Sequence, residues 1–204
     1  MPIEPLPCCR FGAGPLTIED VVALAYGRAL AVLDDAPGFR ARIQRGADFL
    51  DRLLREEGVV YGVTTGYGDS CTVAVPPALV PELPRHLYTY HGCGTGRWLT
   101  PAETRAVLAA RLASLCRGMS GVSMALLRQL ERLLVHDVLP VIPAEGSVGA
   151  SGDLTPLSYV AAVLCGERDH VLDRERAAIE AHAREVSGCH GRRLPRVGPR
   201  KGRN

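Results

Sequence analysis

Apolar residues recur at helical spacing along most of the chain, and this pattern predicts a mainly α-helical fold. The first predicted helix begins at Thr17, because Asp20 three residues later completes a capping box and apolar residues follow at helical spacing. A turn at 34–38 leads to a second amphipathic helix over roughly 39–57, which ends at Gly58. The apolar side of this second helix carries Ile43, Phe49, Leu50, Leu53 and Leu54.

The second half of the chain repeats this helical pattern. One predicted helix begins at Thr100, where Pro101 fits the first helical position, and another begins at Ser123. The segment 154–164 is apolar on all sides, which predicts a buried helix, whereas 76–90 is a helix interrupted by two prolines. The chain has no series of alternating apolar and polar residues and no internal repeat, so we expect no parallel sheet.

Three glycine-rich segments separate the helices and are predicted to be loops. They read VVYGVTTGYGDS at 59–70, HGCGTG at 91–96 and SVGASGD at 147–153. None has the GxxxxGK[ST] spacing of a phosphate-binding loop or the GxSxG spacing of a hydrolase nucleophile elbow. Since three such loops in one helical domain indicate a site, we expect residues 60–72 and 90–97 to be loops that approach 147–153.

Composition narrows the class of protein. The 204 residues are 47% hydrophobic and 23% charged, which is typical of one ordinary globular domain. No apolar run approaches the roughly 20 residues that cross a bilayer, and the N-terminal MPIEPLPCCR lacks the uninterrupted apolar segment of a signal peptide. These features predict a cytoplasmic protein without a membrane partner.

The spacing of cysteine and histidine does not indicate a metal site. The seven cysteines are scattered without a CxxC pair, and the six histidines show no HExxH pattern. We therefore expect reduced, mostly structural thiols and no bound metal.

Charge is uneven along the chain. Residues 189–204 hold six Lys or Arg and no acid, which leaves 18 basic and 22 acidic residues, a formal charge of −4, in the remainder. Because this tail has no aromatic residue for base stacking, nucleic acid is not expected as a partner.

We predict a domain at 1–166 and a divergent, basic, poorly ordered tail at 167–204. An Arg, Gly and Pro-rich tail is also what a wrong frame of a GC-rich gene encodes, so truncation stays open as a hypothesis.

The small residues in SVGASGD allow backbone chemistry that larger residues would block. In a tight turn the amide nitrogen of Gly152 can attack the carbonyl carbon of Ala150, because glycine leaves that approach unhindered. Loss of one water then closes a five-membered imidazolone ring. Dehydration of Ser151 makes its side chain an exocyclic methylidene, and Asp153 stands where it can assist the proton transfers. The product is an electrophile made from three residues of the chain.

The same stretch resembles the signature of a known enzyme family. ASGDLTPL is similar to the motif of the ammonia-lyases and aminomutases that carry a methylidene-imidazolone group, which include histidine, phenylalanine and tyrosine ammonia-lyases. YGVTTGYG is similar to the YGVNTGFG of that family, and YHGCGTG to its glycine-rich loop for the aryl group of the substrate. The motifs stand in the family's order, and the resemblance extends over about 16–166.

This resemblance implies a role for each motif residue. Ala150, Ser151 and Gly152 would form the electrophile that captures the substrate amino group. Tyr61 would remove a proton from the β-carbon, although a phenol with a reference pKa near 10 needs hydrogen bonds or a nearby dipole to act as a base near neutral pH. A core aromatic with a satisfied hydroxyl is the alternative for Tyr61.

The rest of the tyrosine-containing motif would cover the site. Gly66, Tyr67 and Gly68 would belong to a mobile loop that excludes water from the reaction. Thr64 replaces the asparagine that is usual in the family, which puts the local hydrogen bonding of this loop in doubt.

Substrate choice would depend on Tyr90 and His91. Aligning HGCGTG with the HAAGVG of histidine lyases gives His91 the position that contacts the substrate imidazole, so an aromatic amino acid, preferably histidine, is the expected small-molecule partner. Tyr90 replaces the serine found there, which leaves a tyrosine ammonia-lyase or a 2,3-aminomutase open. A structural alternative for His91 is a hydrogen bond to a loop carbonyl.

The family also implies parts that this sequence does not contain. Its members are longer, form homotetramers, and supply a carboxylate-binding arginine and a second tyrosine downstream. A catalytically incomplete fragment is therefore the second functional alternative.

Overall fold

The computed structural model describes residues 5–56, 58–146 and 154–167, and these form a mainly α-helical fold, as predicted. Its elements in chain order are β1 (Cys8–Phe11), α1 (Ile18–Ala25), β2 (Leu30–Leu33), α2 (Pro37–Glu56), α3 (Leu83–His91), β3 (Thr95–Trp98), α4 (Pro101–Leu115), α5 (Met124–Val135), β4 (Pro143–Glu145) and α6 (Leu154–Leu164). Short 3₁₀ turns at Gly68–Thr72 and Val80–Glu82 precede α3. The predicted tail lies almost wholly outside the described residues, so the boundary at 166 stays a prediction.

Three predicted helix starts, at Thr17, Thr100 and Ser123, are confirmed, whereas the helix predicted for 76–90 begins only at Leu83. The Thr17 hydroxyl accepts a hydrogen bond from the Asp20 amide at 3.1 Å, and the Asp20 carboxylate accepts one from the Thr17 amide at 2.9 Å. Thr100 caps α4 through the same reciprocal arrangement with Glu103, and the Ser123 hydroxyl caps α5. These contacts satisfy amide groups that the first helical turn leaves unpaired.

Glu103 also connects β3 to α4. Its carboxylate accepts two hydrogen bonds from the Arg97 guanidinium, at 2.7 and 2.6 Å. Hydrogen bonds from the Arg97 side chain, then from the Thr100 backbone and hydroxyl, lower the Glu103 pKa to about 2. The capping carboxylate therefore stays ionised across the neutral range.

The expectation of no parallel sheet is wrong. β1 and β2 pair in parallel, with Cys8 opposite Leu30 and Phe11 opposite Leu33, and α1 forms the crossover between them. Each strand has only four residues, which is too short for an alternating pattern to stand out in the sequence.

The expectation that 90–97 is a loop is also wrong in part. Residues 90 and 91 end α3, and residues 95–97 belong to β3, which pairs antiparallel with β4. Glycines make this pairing possible, because a side chain at Gly94 would overlap Pro143 and one at Gly96 would overlap Glu145. Only 92–94 stay without regular structure.

The core lies between the helices and the parallel strand pair. Its largest fully buried aromatic and aliphatic side chains are Phe11, Ile43, Leu108, Leu112, Leu127, Leu130 and Ile142. None of the eleven residues of α6 is exposed, which confirms the predicted buried helix.

Gly46 permits close packing of α2 against the turn that follows α4. A Cβ atom at Gly46 would lie 2.5 Å from the carbonyl oxygen of Gly118, a backbone atom in a turn with φ +79°. We expect Gly46→Ala to lower the free energy of unfolding by about 1–3 kcal/mol, because overlap with backbone forces the helix away from the turn. Urea unfolding measures this difference.

Gly38→Ala is the matched control on the same helix. A Cβ atom at Gly38 would meet no other atom within 4 Å. Alanine there should leave stability unchanged or raise it by up to about 1 kcal/mol, through its better helix propensity. Equal unfolding midpoints for the two variants would contradict the packing role of Gly46.

Candidate active site

The first glycine-rich segment is an irregular loop, as predicted for 60–72, and it ends in the 3₁₀ turn at Gly68–Thr72. The hydroxyl of Thr64 accepts a hydrogen bond from the Val60 amide at 2.8 Å, and that of Thr65 accepts one from the Gly62 amide at 3.2 Å. Thr64, which replaces the family asparagine, thus provides a local hydrogen bond of its own.

Two tyrosines close this loop from opposite ends. The Tyr61 oxygen accepts a hydrogen bond from the Gly68 amide at 3.0 Å, whereas the Tyr67 hydroxyl donates to the Gly62 carbonyl at 3.1 Å. The two rings meet edge to face, with centroids 6.4 Å apart. We name this arrangement of Tyr61, Gly62, Tyr67 and Gly68 the tyrosine clasp.

The two hydroxyls of the clasp differ in chemistry. An amide donor at the Tyr61 oxygen stabilises negative charge there. Tyr67 gives its own proton to a carbonyl, and burial, with a smaller contribution from Tyr61, raises its pKa. The Tyr61 side chain is 65% exposed, which contradicts the alternative of a core aromatic. Of the two, only Tyr61 has an oxygen that accepts a hydrogen bond from a backbone amide of the loop.

Tyr90 and His91 lie at the end of α3, where they face the tyrosine-containing loop. Their rings meet edge to face at 5.4 Å; Tyr90 is 80% exposed and His91 half-buried. One open groove is lined by both residues together with Gly66 and Tyr67. Tyr61 is not part of this lining, but its ring contacts that of Tyr67. Within the described ranges, no carbonyl accepts a hydrogen bond from His91, so the structural alternative for this residue is not seen.

The second glycine-rich segment is attached to both flanks of the third. On one side, β3 pairs with β4, which leads directly to residue 147. On the other side, the Tyr159 hydroxyl of α6 donates to the Gly92 carbonyl at 3.1 Å. The flanks also meet each other, because the Thr155 hydroxyl donates to the Gly146 carbonyl at 2.8 Å. The structure thus brings the surroundings of all three predicted loops together.

The predicted electrophile residues Ala150, Ser151 and Gly152, with Asp153, lie outside the described residues. Their distances from Tyr61 and His91 are untested, and their roles stay predictions.

Sequence analysis missed the two hydroxyls of α6 that organise this region. Thr155 and Tyr159 are four residues apart and buried in a mostly apolar helix, which also carries the buried Ser158. Buried hydroxyls need hydrogen-bond partners, so their presence at helical spacing was a usable signal of contacts with loops. Their partners could not be named, because Gly92 lies 67 residues from Tyr159.

Other features of the described ranges give no further site. No group of three or more His, Cys, Asp or Glu is arranged to hold a metal there. None of the helices described has both the length and the apolar character needed to cross a membrane. The described cysteines are free thiols, and burial raises the pKa of Cys116 in the core to about 12.

Comparison with known proteins identifies the family. The sequence profile described as "Aromatic amino acid lyase" matches residues 16–188, a stretch that contains all three glycine-rich segments. The chain belongs to the aromatic amino acid lyase family. The resemblance carried by its motifs is thereby confirmed.

Relatives of this aromatic amino acid lyase chain include histidine ammonia-lyases. That of Paracidovorax citrulli is 42% identical over 162 residues, which cover 79% of this chain and 31% of the relative. That of Bos taurus is 38% identical over 164 residues, which cover 80% of this chain and 25% of the relative. The chain therefore spans about a quarter to a third of the length of these relatives.

Solved structures agree with this placement. Tyrosine aminomutase from Streptomyces globisporus superposes with a TM-score of 0.75 at 31% identity, over 88% of this chain and 33% of that structure. Histidine ammonia-lyase from Trypanosoma cruzi gives a TM-score of 0.69 at 28% identity, over 88% and 34% of the two chains. The fold is that of the corresponding part of an aromatic lyase.

Proposed function

We propose that this chain is the electrophile-bearing part of an ammonia-lyase that converts L-histidine to urocanate and ammonia. The observation that carries the proposal is the attachment of Gly92 and β3, which follow His91, to both flanks of residues 147–153. This attachment of the described flanks supports a site shared by the proposed aryl-binding residue and the segment proposed to form the electrophile. Similarity to histidine ammonia-lyases supports histidine as the substrate.

The cofactor in this proposal is a methylidene-imidazolone made from Ala150, Ser151 and Gly152. The described flanks fit such a group: Gly146 packs so closely on Thr155 that any side chain there would overlap it, and their hydrogen bond joins the two ends of the segment. The group supplies an electrophilic carbon that takes up the substrate amino group and makes it a better leaving group. Asp153 would assist proton transfer while the ring forms.

Tyr61 is the proposed base. It removes a proton from the substrate β-carbon, the electrons of that C–H bond form the α,β double bond, and the amino group departs with its own bonding pair. The Gly68 amide donates to the phenol oxygen at 3.0 Å and stabilises the charge that Tyr61 needs in order to accept the proton. Gly66, Tyr67 and Gly68 then cover the reacting atoms.

His91 and Tyr90 are proposed to select the substrate side chain. The half-buried imidazole of His91 faces the groove, where it can exchange a hydrogen bond with a substrate imidazole or phenol. The Tyr90 ring favours a second candidate, a tyrosine ammonia-lyase or 2,3-aminomutase. This ring meets His91 edge to face and takes the position of a small serine in histidine lyases.

We further propose a cytoplasmic homotetramer, in which other parts of the fold complete each site.

A chimaera tests this function. Residues 16–166 replace the matching segment of the Paracidovorax citrulli histidine ammonia-lyase, and release of urocanate and ammonia is measured beside the unaltered relative. We expect kcat/KM for histidine to exceed that for tyrosine by at least about tenfold, because a site built for one polar ring leaves groups unpaired with another. A soluble tetrameric chimaera that deaminates neither amino acid would refute the proposal, and a preference for tyrosine would establish the second candidate.

A further inference from the structure

The tyrosine clasp is a reciprocal arrangement. Tyr61, at the start of the loop, receives the amide of Gly68 at its end, and Tyr67, near the end, holds the carbonyl of Gly62 near the start. Each tyrosine oxygen is thus bonded to a backbone group of the glycine that follows the other tyrosine.

The contact between Tyr67 and Gly62 requires glycine at position 62. Gly62 has φ +71°, and a Cβ atom there would lie 2.9 Å from the Tyr67 ring. The ring can pack on this peptide only because position 62 has no side chain. In this position the Tyr67 ring is nearly perpendicular to the Tyr61 ring, with the two ring planes 89° apart. The Tyr67 ring and hydroxyl therefore both lie against Gly62, the residue that follows Tyr61.

We propose that Tyr67 is a positioning residue, whose hydroxyl fixes the Gly62 peptide and thereby holds the Tyr61 oxygen on the Gly68 amide. The role rests on the proposed function, in which Tyr61 accepts the substrate proton. Burial keeps the Tyr67 hydroxyl protonated and able to donate over the whole range in which such a reaction runs. The similar family motif YGVNTGFG has phenylalanine at this position, so the hydroxyl is a feature of this chain.

Nuclear magnetic resonance of the 204-residue chain tests the clasp without turnover. Tyr67→Phe removes one oxygen and keeps the ring. We expect the Gly68 amide proton to shift and its hydrogen exchange to accelerate about fivefold, the change produced by loss of one ordinary hydrogen bond. Tyr61→Phe removes the acceptor itself and should produce the same change. The matched control is Tyr26→Phe at the C-cap of α1, an exposed tyrosine outside the clasp, which should leave the Gly68 amide unchanged.

The results separate positioning from general stability. A shifted Gly68 amide in Tyr67→Phe with an unchanged thermal midpoint supports the proposal. An unchanged Gly68 amide in Tyr67→Phe, alongside a shifted one in Tyr61→Phe, would mean that the two contacts are independent and would overturn it. A soluble tetrameric chimaera without activity, together with a Gly68 amide that shifts in Tyr67→Phe, would refute the proposed function. It would leave the link between the two contacts of the clasp intact.

Discussion

We expect Ser151→Ala to abolish formation of the proposed electrophile and to lower histidine deamination by the chimaera by several orders of magnitude. The expected loss is this large because the methylidene double bond forms when Ser151 loses its hydroxyl as water, and alanine has no hydroxyl to lose. Substrate binding alone cannot replace a missing covalent catalyst. Stability should change little, since one hydroxyl in a segment of small residues contributes little to the core.

Intact-mass spectrometry of the 204-residue chain measures the first part of this result. Ring closure removes one water and dehydration of Ser151 removes a second, so the mature chain should be lighter than its sequence by two waters. The Ser151→Ala chain can lose at most one. Ser114→Ala, on the exposed face of α4, is the matched control and should lose two. Wild-type deamination by the Ser151→Ala chimaera would remove the central chemistry of the proposal.

The 204-residue chain alone should release little or no ammonia from histidine or tyrosine. Differential binding of a transition state requires the substrate carboxylate to be held and the β-proton aligned, and a misplacement of about 1 Å can cost about a hundredfold. Tyr61 and Tyr90 are 65% and 80% exposed, so the described part of the chain does not by itself exclude water from the proposed site. The family relatives are three to four times longer than the matched stretch.

An ammonia-release assay on the purified chain, with light scattering in parallel, measures this prediction. We expect monomers or aggregates in place of a defined tetramer, because exposed apolar residues such as Ile18 and Trp98 lack the covering that a larger fold gives. The unaltered Paracidovorax citrulli enzyme is the positive control. A tetramer that releases ammonia from histidine at about 1 per second or faster would contradict the expectation.

Local signals predicted the helices well, whereas pairing between distant segments could not be predicted. Thr17, Thr100 and Ser123 mark helix starts because each hydroxyl bonds an amide three residues away. The pairing of β1 with β2, by contrast, joins residues 22 positions apart in strands of four residues. Such strands gain their stability from partners, so their own composition does not reveal them.

The candidate site likewise has features that the sequence predicted and contacts that it could not predict. Motif order predicted that Tyr61, His91 and the 147–153 segment belong together, and the structure joins the surroundings of each. The contacts that join them, Tyr159 with Gly92 and Thr155 with Gly146, depend on tertiary packing and were not predictable from spacing. The sequence also could not predict that Tyr61 accepts a hydrogen bond while Tyr67 donates one, because the two tyrosines stand in the same glycine-rich motif.

Thr155 would also link the proposed self-modification to folding. Its hydroxyl donates to the Gly146 carbonyl at 2.8 Å, so the chain on either side of 147–153 is brought together when α6 packs on α3 and Thr155 meets the residue that follows β4. The conformational entropy of closing that segment is then lost during folding and need not be lost again when two backbone groups within it react. The proposed condensation gains effective molarity from this closure. Maturation of the electrophile should therefore follow the docking of α6, which would make the finished prosthetic group a chemical record that this part of the protein has folded.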